Sequence, residues 1–90
     1  MRIGMETTLS TTEKGELKTT VLGATLDLCA VPRVGESIIM PSGHLFTVTH
    51  VSYLVAVCGD PYLELDHVHV PFTEYQSKLD VLLGEGFKIV

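Results

Sequence analysis

Tryptophan is absent from this chain, cysteine occurs twice, and basic residues number only six against eleven acidic ones, for a net charge of -5. Each shortage removes a class of function. The six basic residues, Arg2, Lys14, Lys18, Arg33, Lys78 and Lys88, are scattered singly. Nonspecific nucleic-acid affinity rests on clustered Lys and Arg that displace counterions, so nucleic acid is a poor partner. The six aromatics, Phe46, Phe72, Phe87, Tyr53, Tyr62 and Tyr75, have no basic groove beside them to make a stacking platform. Cys29 and Cys58 match neither a CxxC redox motif nor half of a zinc ribbon, and their apolar neighbours suit buried free thiols, with a disulfide between them as the alternative.

No apolar run approaches the roughly 18–20 residues needed for a membrane-crossing helix, and the start, Met1-Arg2-Ile3-Gly4-Met5-Glu6, lacks the layout of a secretory signal. The expectation is a soluble, cytoplasmic chain. No GxGxxG or GxxxxGK[ST] motif supports phosphate binding, and no nucleophile elbow accompanies any serine. What is present is hydrocarbon: 46% of the 90 residues are hydrophobic and the mean hydropathy is +0.34. A domain this small has much surface for its volume, so part of that apolar surface is expected to meet a partner.

Strand periodicity dominates. Ile3, Met5, Thr7 and Leu9 alternate with polar residues over 2–10, as in a strand with one buried face. Thr11 to Glu16 reads as a hairpin loop, and a return strand over about 17–22 would carry Leu17, Thr19 and Val21 on one side. Gly23 suggests a bulge or bend before Leu26, Leu28 and Ala30 resume the alternation. Pro32 ends that segment, Val34-Gly35-Glu36 turns, and Ile38-Ile39-Met40 is a short strand. Pro41-Ser42-Gly43-His44 is the clearest turn, leading into a long central strand from Leu45 to Tyr53.

The apolar run Leu54 to Cys58 precedes a turn at Gly59-Asp60-Pro61. In residues 62–70 the apolar positions change from Leu63 and Leu65 to Val68 and Val70, which requires a bulge, a twist or burial on both sides. Thr73-Glu74-Tyr75-Gln76 has capping-box form, opening a helix over about 74–83 with Tyr75, Leu79, Leu82 and Leu83 on one face. Phe87 to Val90 reads as a short strand that pairs with a sheet edge.

The fold class expected is mainly β with one C-terminal helix, as a small curved antiparallel sheet or SH3-like β-barrel over residues 1–90. Pro32-Arg33-Val34-Gly35-Glu36-Ser37-Ile38, followed by Ser42-Gly43, Phe46-Thr47-Val48 and Val51, resembles the core of small bacterial and phage proteins with an SH3-like barrel and a PRVGD-x-I … G-x-x-[FY]-x-V-x-x-V pattern. That resemblance implies a barrel and carries over no catalytic residues. The helix departs from a plain SH3-like barrel.

For chemistry, His67 and His69 stand two apart on strand-like sequence and could point to one metal ion, although two ligands do not complete a site. Cys29 or Cys58 with His50 or His67, and Ser52 with His50 and Asp60, lack supporting motifs. Glu64 and Asp66 fit an ordinary polar strand face. Phe46 and Phe72 suit the core, whereas Tyr53, Tyr62, Tyr75, Phe87 and Ile89 are the candidate partner-binding residues. The function expected is therefore a non-catalytic protein-binding or adaptor module, without cofactor, that pairs with a protein partner or with itself as a homodimer through sheet edges. The alternatives are a small-ligand or metal sensor using His67 and His69 at the barrel mouth, and a phage-encoded inhibitor or accessory protein.

Overall fold

A computed structural model describes residues 2–53 and 61–90. The chain is mostly β with one helix near its C-terminus, and its curved sheet is open. Its elements are β1 (Arg2–Glu13), β2 (Glu16–Asp27), β3 (Ser37–Ile39), β4 (Leu45–Tyr53), β5 (Pro61–Leu65), β6 (Val68–His69), α1 (Phe72–Gly84) and β7 (Lys88–Ile89). The strand order is β3-β4-β5-β1-β2-β7, with β6 also on β1. The sheet is mixed: β1 runs parallel to β5 and β6, and the other pairings are antiparallel. No helix among the described residues is long and apolar enough to cross a membrane.

β1 is the spine of the sheet, and its alternation holds throughout: Ile3, Met5, Thr7, Leu9 and Thr11 are all buried. The β1–β2 hairpin is longer than the sequence suggested because its turn is only Lys14-Gly15. Both residues have positive φ, 51° and 81°, and Glu13 faces Glu16 across the turn. Two positive φ values in a two-residue loop define the type I′ turn, whose twist matches that of the strands. This closure sets the register that decides which face of β2 turns inward. Thr7 lies opposite Leu22, Met5 opposite Ala24 and Ile3 opposite Leu26. Opposed residues share a face, so Leu22, Ala24 and Leu26 turn toward the core and Leu17, Thr19 and Val21 turn away.

Gly23 makes no bend, since β2 runs through it opposite Glu6. A Cβ at that position would lie 3.1 Å from Val90 Cγ2, so glycine permits the close approach of the C-terminal strand. β2 ends at Asp27, and Leu28 to Val31 are not strand. The next turn has Gly35 at φ 90°, with Glu36 N–H donating to Arg33 O at 3.0 Å. The following hairpin forms as read, with Gly43 at φ 91° and its N–H donating to Met40 O at 2.8 Å. β4 spans the expected residues but lies second from one edge, so β1 takes the central place.

Two irregularities keep apolar residues inward. In β4 the register with β5 shifts between Val48 and His50, so the inward set passes from Phe46 and Val48 to Val51. Along β1's other side, Glu6 pairs with Glu64 and Leu9 with Val68, so three steps on β1 answer four on the opposing chain. The extra residue is a bulge, and it reconciles buried Leu63 and Leu65 with buried Val68. Asp66 holds this junction: its Oδ1 accepts from Thr47 N–H and its carbonyl from the Thr7 hydroxyl, each at 2.8 Å.

The helix caps differently from the sequence expectation. Pro71 occupies the N-cap position without a side-chain bond, and Gln76 donates forward to Asp80 Oδ1 at 2.9 Å. The capping box does not form because Thr73 already lies inside the helix. Tyr75 and Leu82 are buried and Leu79 packs against the core, while Leu83 and Phe72 are exposed, correcting the core assignment of Phe72. The chain leaves α1 through Gly86 at φ 104° to seat Phe87 against Phe46, ring centroids 5.7 Å apart. β7 then pairs with β2 at Leu22 and Gly23, fulfilling the expectation for the tail.

Candidate interaction surface

The β1–β2 hairpin outreaches its neighbours. β7 pairs with β2 at Leu22 and Gly23, and Val90 N–H donates to Val21 O at 3.0 Å. Between Val21 and the turn, Glu16 to Thr20 pair with β1 on one side only among the described residues. The Val90 bond fixes the parity of this edge, because in an antiparallel ladder the N–H and C=O of one residue point the same way. Val21 points outward, and so do Thr19 and Leu17. Their backbone groups form an open edge, and the Leu17 side chain beside it is 67% exposed. An edge of this kind is a template for another strand.

Polar side chains border that edge. Glu16 and Lys18 are exposed on the inward face of the hairpin, two residues apart. The Lys18 ammonium sits 5.2 Å from the Tyr75 ring centroid, a cation–π distance that aims it across the hairpin. The opposite end of the sheet offers less backbone. β3 has three residues, although Ile39 is 70% exposed and lies across from exposed Leu45.

A separate open trough of about 500 Å³ crosses the outer face over Gly4 and Gly23. A Cβ on Gly4 would meet Tyr62 Cδ2 at 3.1 Å, so that glycine lets the Tyr62 ring pack close against β1. The Tyr62 hydroxyl donates to the Glu6 carboxylate. Burial, that hydrogen bond and the carboxylates of Glu6 and Glu64 push the phenol up to about 12, so Tyr62 is a neutral donor that holds Glu6 in place.

A third cluster joins the β3–β4 turn to the helix. His44 packs edge-on against Phe46, centroids 4.4 Å apart, and its Nδ1 accepts from Lys78 Nζ at 2.7 Å. Ser42 donates its hydroxyl to Glu85 Oε1 at 2.8 Å and its N–H to Oε2 at 3.1 Å. Desolvation and the Lys78 charge lower the His44 pKa, opposed by the carboxylates of Asp66 and Glu85. This is a clasp between two elements.

The residues singled out from sequence scatter over these regions. His67 lies in the break between β5 and β6, and His69 on β6 has Nδ1 3.0 Å from the Ser10 hydroxyl. Both imidazoles are exposed, and no group of three or more His, Cys, Asp or Glu with metal-holding spacing occurs among the described residues. Two of the partner-binding candidates are corrected. Tyr75 is 4% exposed, its hydroxyl joined to that of Thr20, and Phe87 is 1% exposed. Each fills the space between helix and sheet, which a short core needs from its largest side chains.

Ile89 is 60% exposed on β7, and Tyr62 is half-buried in the trough. Cys29 is an exposed free thiol, because it follows the end of β2 instead of continuing it. The side chain of Tyr53, the run Leu54 to Cys58, and Gly59 and Asp60 of the expected turn lie outside the described residues, and with them Asp60 of the Ser52, His50 and Asp60 set. The Leu17–Thr19 edge escaped the sequence reading. Carrying the β1 alternation around a two-residue turn would have placed Leu17 outward, since Lys14-Gly15 suits that turn. No family model, curated protein or solved structure matches the chain.

Proposed function

We propose that this chain is a non-catalytic protein-binding module that accepts a strand from another polypeptide along the free edge of β2. The observation that carries the reading is the outward backbone of Leu17 and Thr19, unpaired among the described residues, between the Lys14-Gly15 turn and the β7 cover at Val21. Strand addition draws affinity from main-chain hydrogen bonds and selectivity from alternate side chains. Leu17 supplies an apolar contact on one face, with Glu16 and Lys18 as a polar contact on the other. The chain's high hydrophobic content fits such a role, since nine large apolar side chains are exposed among the described residues.

Leu17→Pro isolates this edge. Proline removes an N–H that faces away from β1 and is tolerated at edge positions of that kind. Immobilised wild type and Leu17→Pro are compared for retained polypeptide, with matched melting curves to show that both fold. The expected result is retention by wild type that Leu17→Pro abolishes, together with slowed amide exchange at Leu17 and Thr19 in the complex. Equal retention by both proteins overturns the reading.

A further inference from the structure

We infer that the strand accepted by the β2 edge is the same segment of a second copy, paired antiparallel with Leu17 facing Leu17. This inference rests on the edge reading above and adds the partner and its register.

The available length sets the first constraint. Val90 occupies the Val21 carbonyl, so an incoming strand can extend only from the turn to Thr20. A second copy brings an edge with the same limits, since its own strand starts at the Lys14-Gly15 turn. With Leu17 opposite Leu17, Gly15 of each copy lies beside Thr19 of the other and Lys14 beside Thr20. The visiting turn then stops one position short of Val90.

Charge selects the same register. Opposed residues share a face of the sheet, so odd positions must meet odd and even must meet even. With Leu17 at the centre, Glu16 of each copy faces Lys18 of the other, giving two opposite-charge pairs on one face and a leucine contact on the other. Centring on Lys18 sets lysine against lysine and drives Gly15 onto the occupied Val21. Centring on Glu16 sets glutamate against glutamate. Like charges directly opposite are destabilising.

The backbone adds two reciprocal bonds, from each Leu17 N–H to the other Leu17 carbonyl, because both groups point outward. The sheet becomes continuous through both copies. So short a contact makes a weak, concentration-dependent dimer, of the small transient class of interface.

Charge exchange tests the register, read by sedimentation velocity over a concentration series. Glu16→Lys alone places lysines opposite lysines, and Lys18→Glu alone places glutamates opposite glutamates. Each is expected to weaken self-association about tenfold. Mixing the two variants restores both opposite-charge pairs in the mixed dimer, and so does the double exchange in one chain. Both positions are exposed, and unchanged melting curves confirm folding.

Single variants that associate as tightly as wild type, or a mixture no heavier than its components, overturn the inference. A wild type that stays monomeric at millimolar concentration, while a foreign polypeptide is still lost on Leu17→Pro, overturns self-pairing alone and leaves the edge reading standing. Dimers unaffected by either the charge exchanges or Leu17→Pro overturn self-pairing at this edge.

Discussion

Lys78 donates a hydrogen bond from Nζ to Nδ1 of His44 across 2.7 Å, tying the helix to the β3–β4 turn through a neutral imidazole. Protonating His44 would place a proton on the accepting nitrogen and set two cations together. Desolvation acts in the same direction, and the nearby Asp66 and Glu85 carboxylates only partly offset it.

The first prediction follows from that pair. The folded pKa of His44 lies below its ordinary 6.5, so in the interval between the two values the unfolded chain binds more protons than the folded one. Stability is therefore full above 6.5 and declines as the pH falls from 6.5 through the folded pKa. His44→Gln keeps an acceptor for Lys78 and removes the titration. Melting temperatures across this interval should fall less steeply for His44→Gln than for wild type; parallel curves would remove His44 as the cause.

Tyr62 gives a prediction at the alkaline end. Ultraviolet titration of the folded protein should show a tyrosine ionising near 12, first because its ring is desolvated and then because Glu6 accepts its proton. A folded pKa above the unfolded 10.0 stabilises the protein below 10 and loses that contribution as the pH rises toward 12. Glu6→Gln removes the charge but keeps an acceptor, so the late ionisation should move down only part of the way. Gly4→Val, which crowds the ring, should destabilise by about 1–3 kcal/mol.

The C-terminal segment separates core from surface within three residues. Phe87→Ala should cost about 3–5 kcal/mol in denaturant unfolding, since the ring is buried against Phe46. Ile89→Ala, on an exposed side chain of the last strand, should change stability by no more than about 0.5 kcal/mol. Similar losses at both positions would mean that the tail packs differently.

Sequence periodicity carried the architecture where one face stays inward without interruption. Ile3 to Leu9, the Gly35 and Gly43 turns, β4 and the helix were all legible, because side-chain parity and positive φ are local properties. The face change in residues 62–70 was legible as a demand for a bulge. Its placement was not, because Asp66 meets Thr47 and Thr7 only after β1, β4 and β5 have come together.

The β1–β2 hairpin runs further than a six-residue loop over Thr11 to Glu16 implies, but loops of six and of two residues keep the same parity, so the longer pairing leaves the inward faces unchanged. Phe87 and Tyr75 were assigned to the surface because a short apolar tail and a helix tyrosine give no local sign of what covers them. The Leu17–Thr19 edge likewise has no local sign, because it depends on where β7 pairs along β2. That position is written in neither segment alone.

The two-residue closure at Lys14-Gly15 also limits how this chain can change. Inserting or deleting a single residue at the tip would exchange the two sides of the returning strand, sending Leu22 and Leu26 into water and Leu17 and Val21 toward the helix. Length variation there is tolerable in steps of two, so related chains should differ at the tip by even numbers of residues.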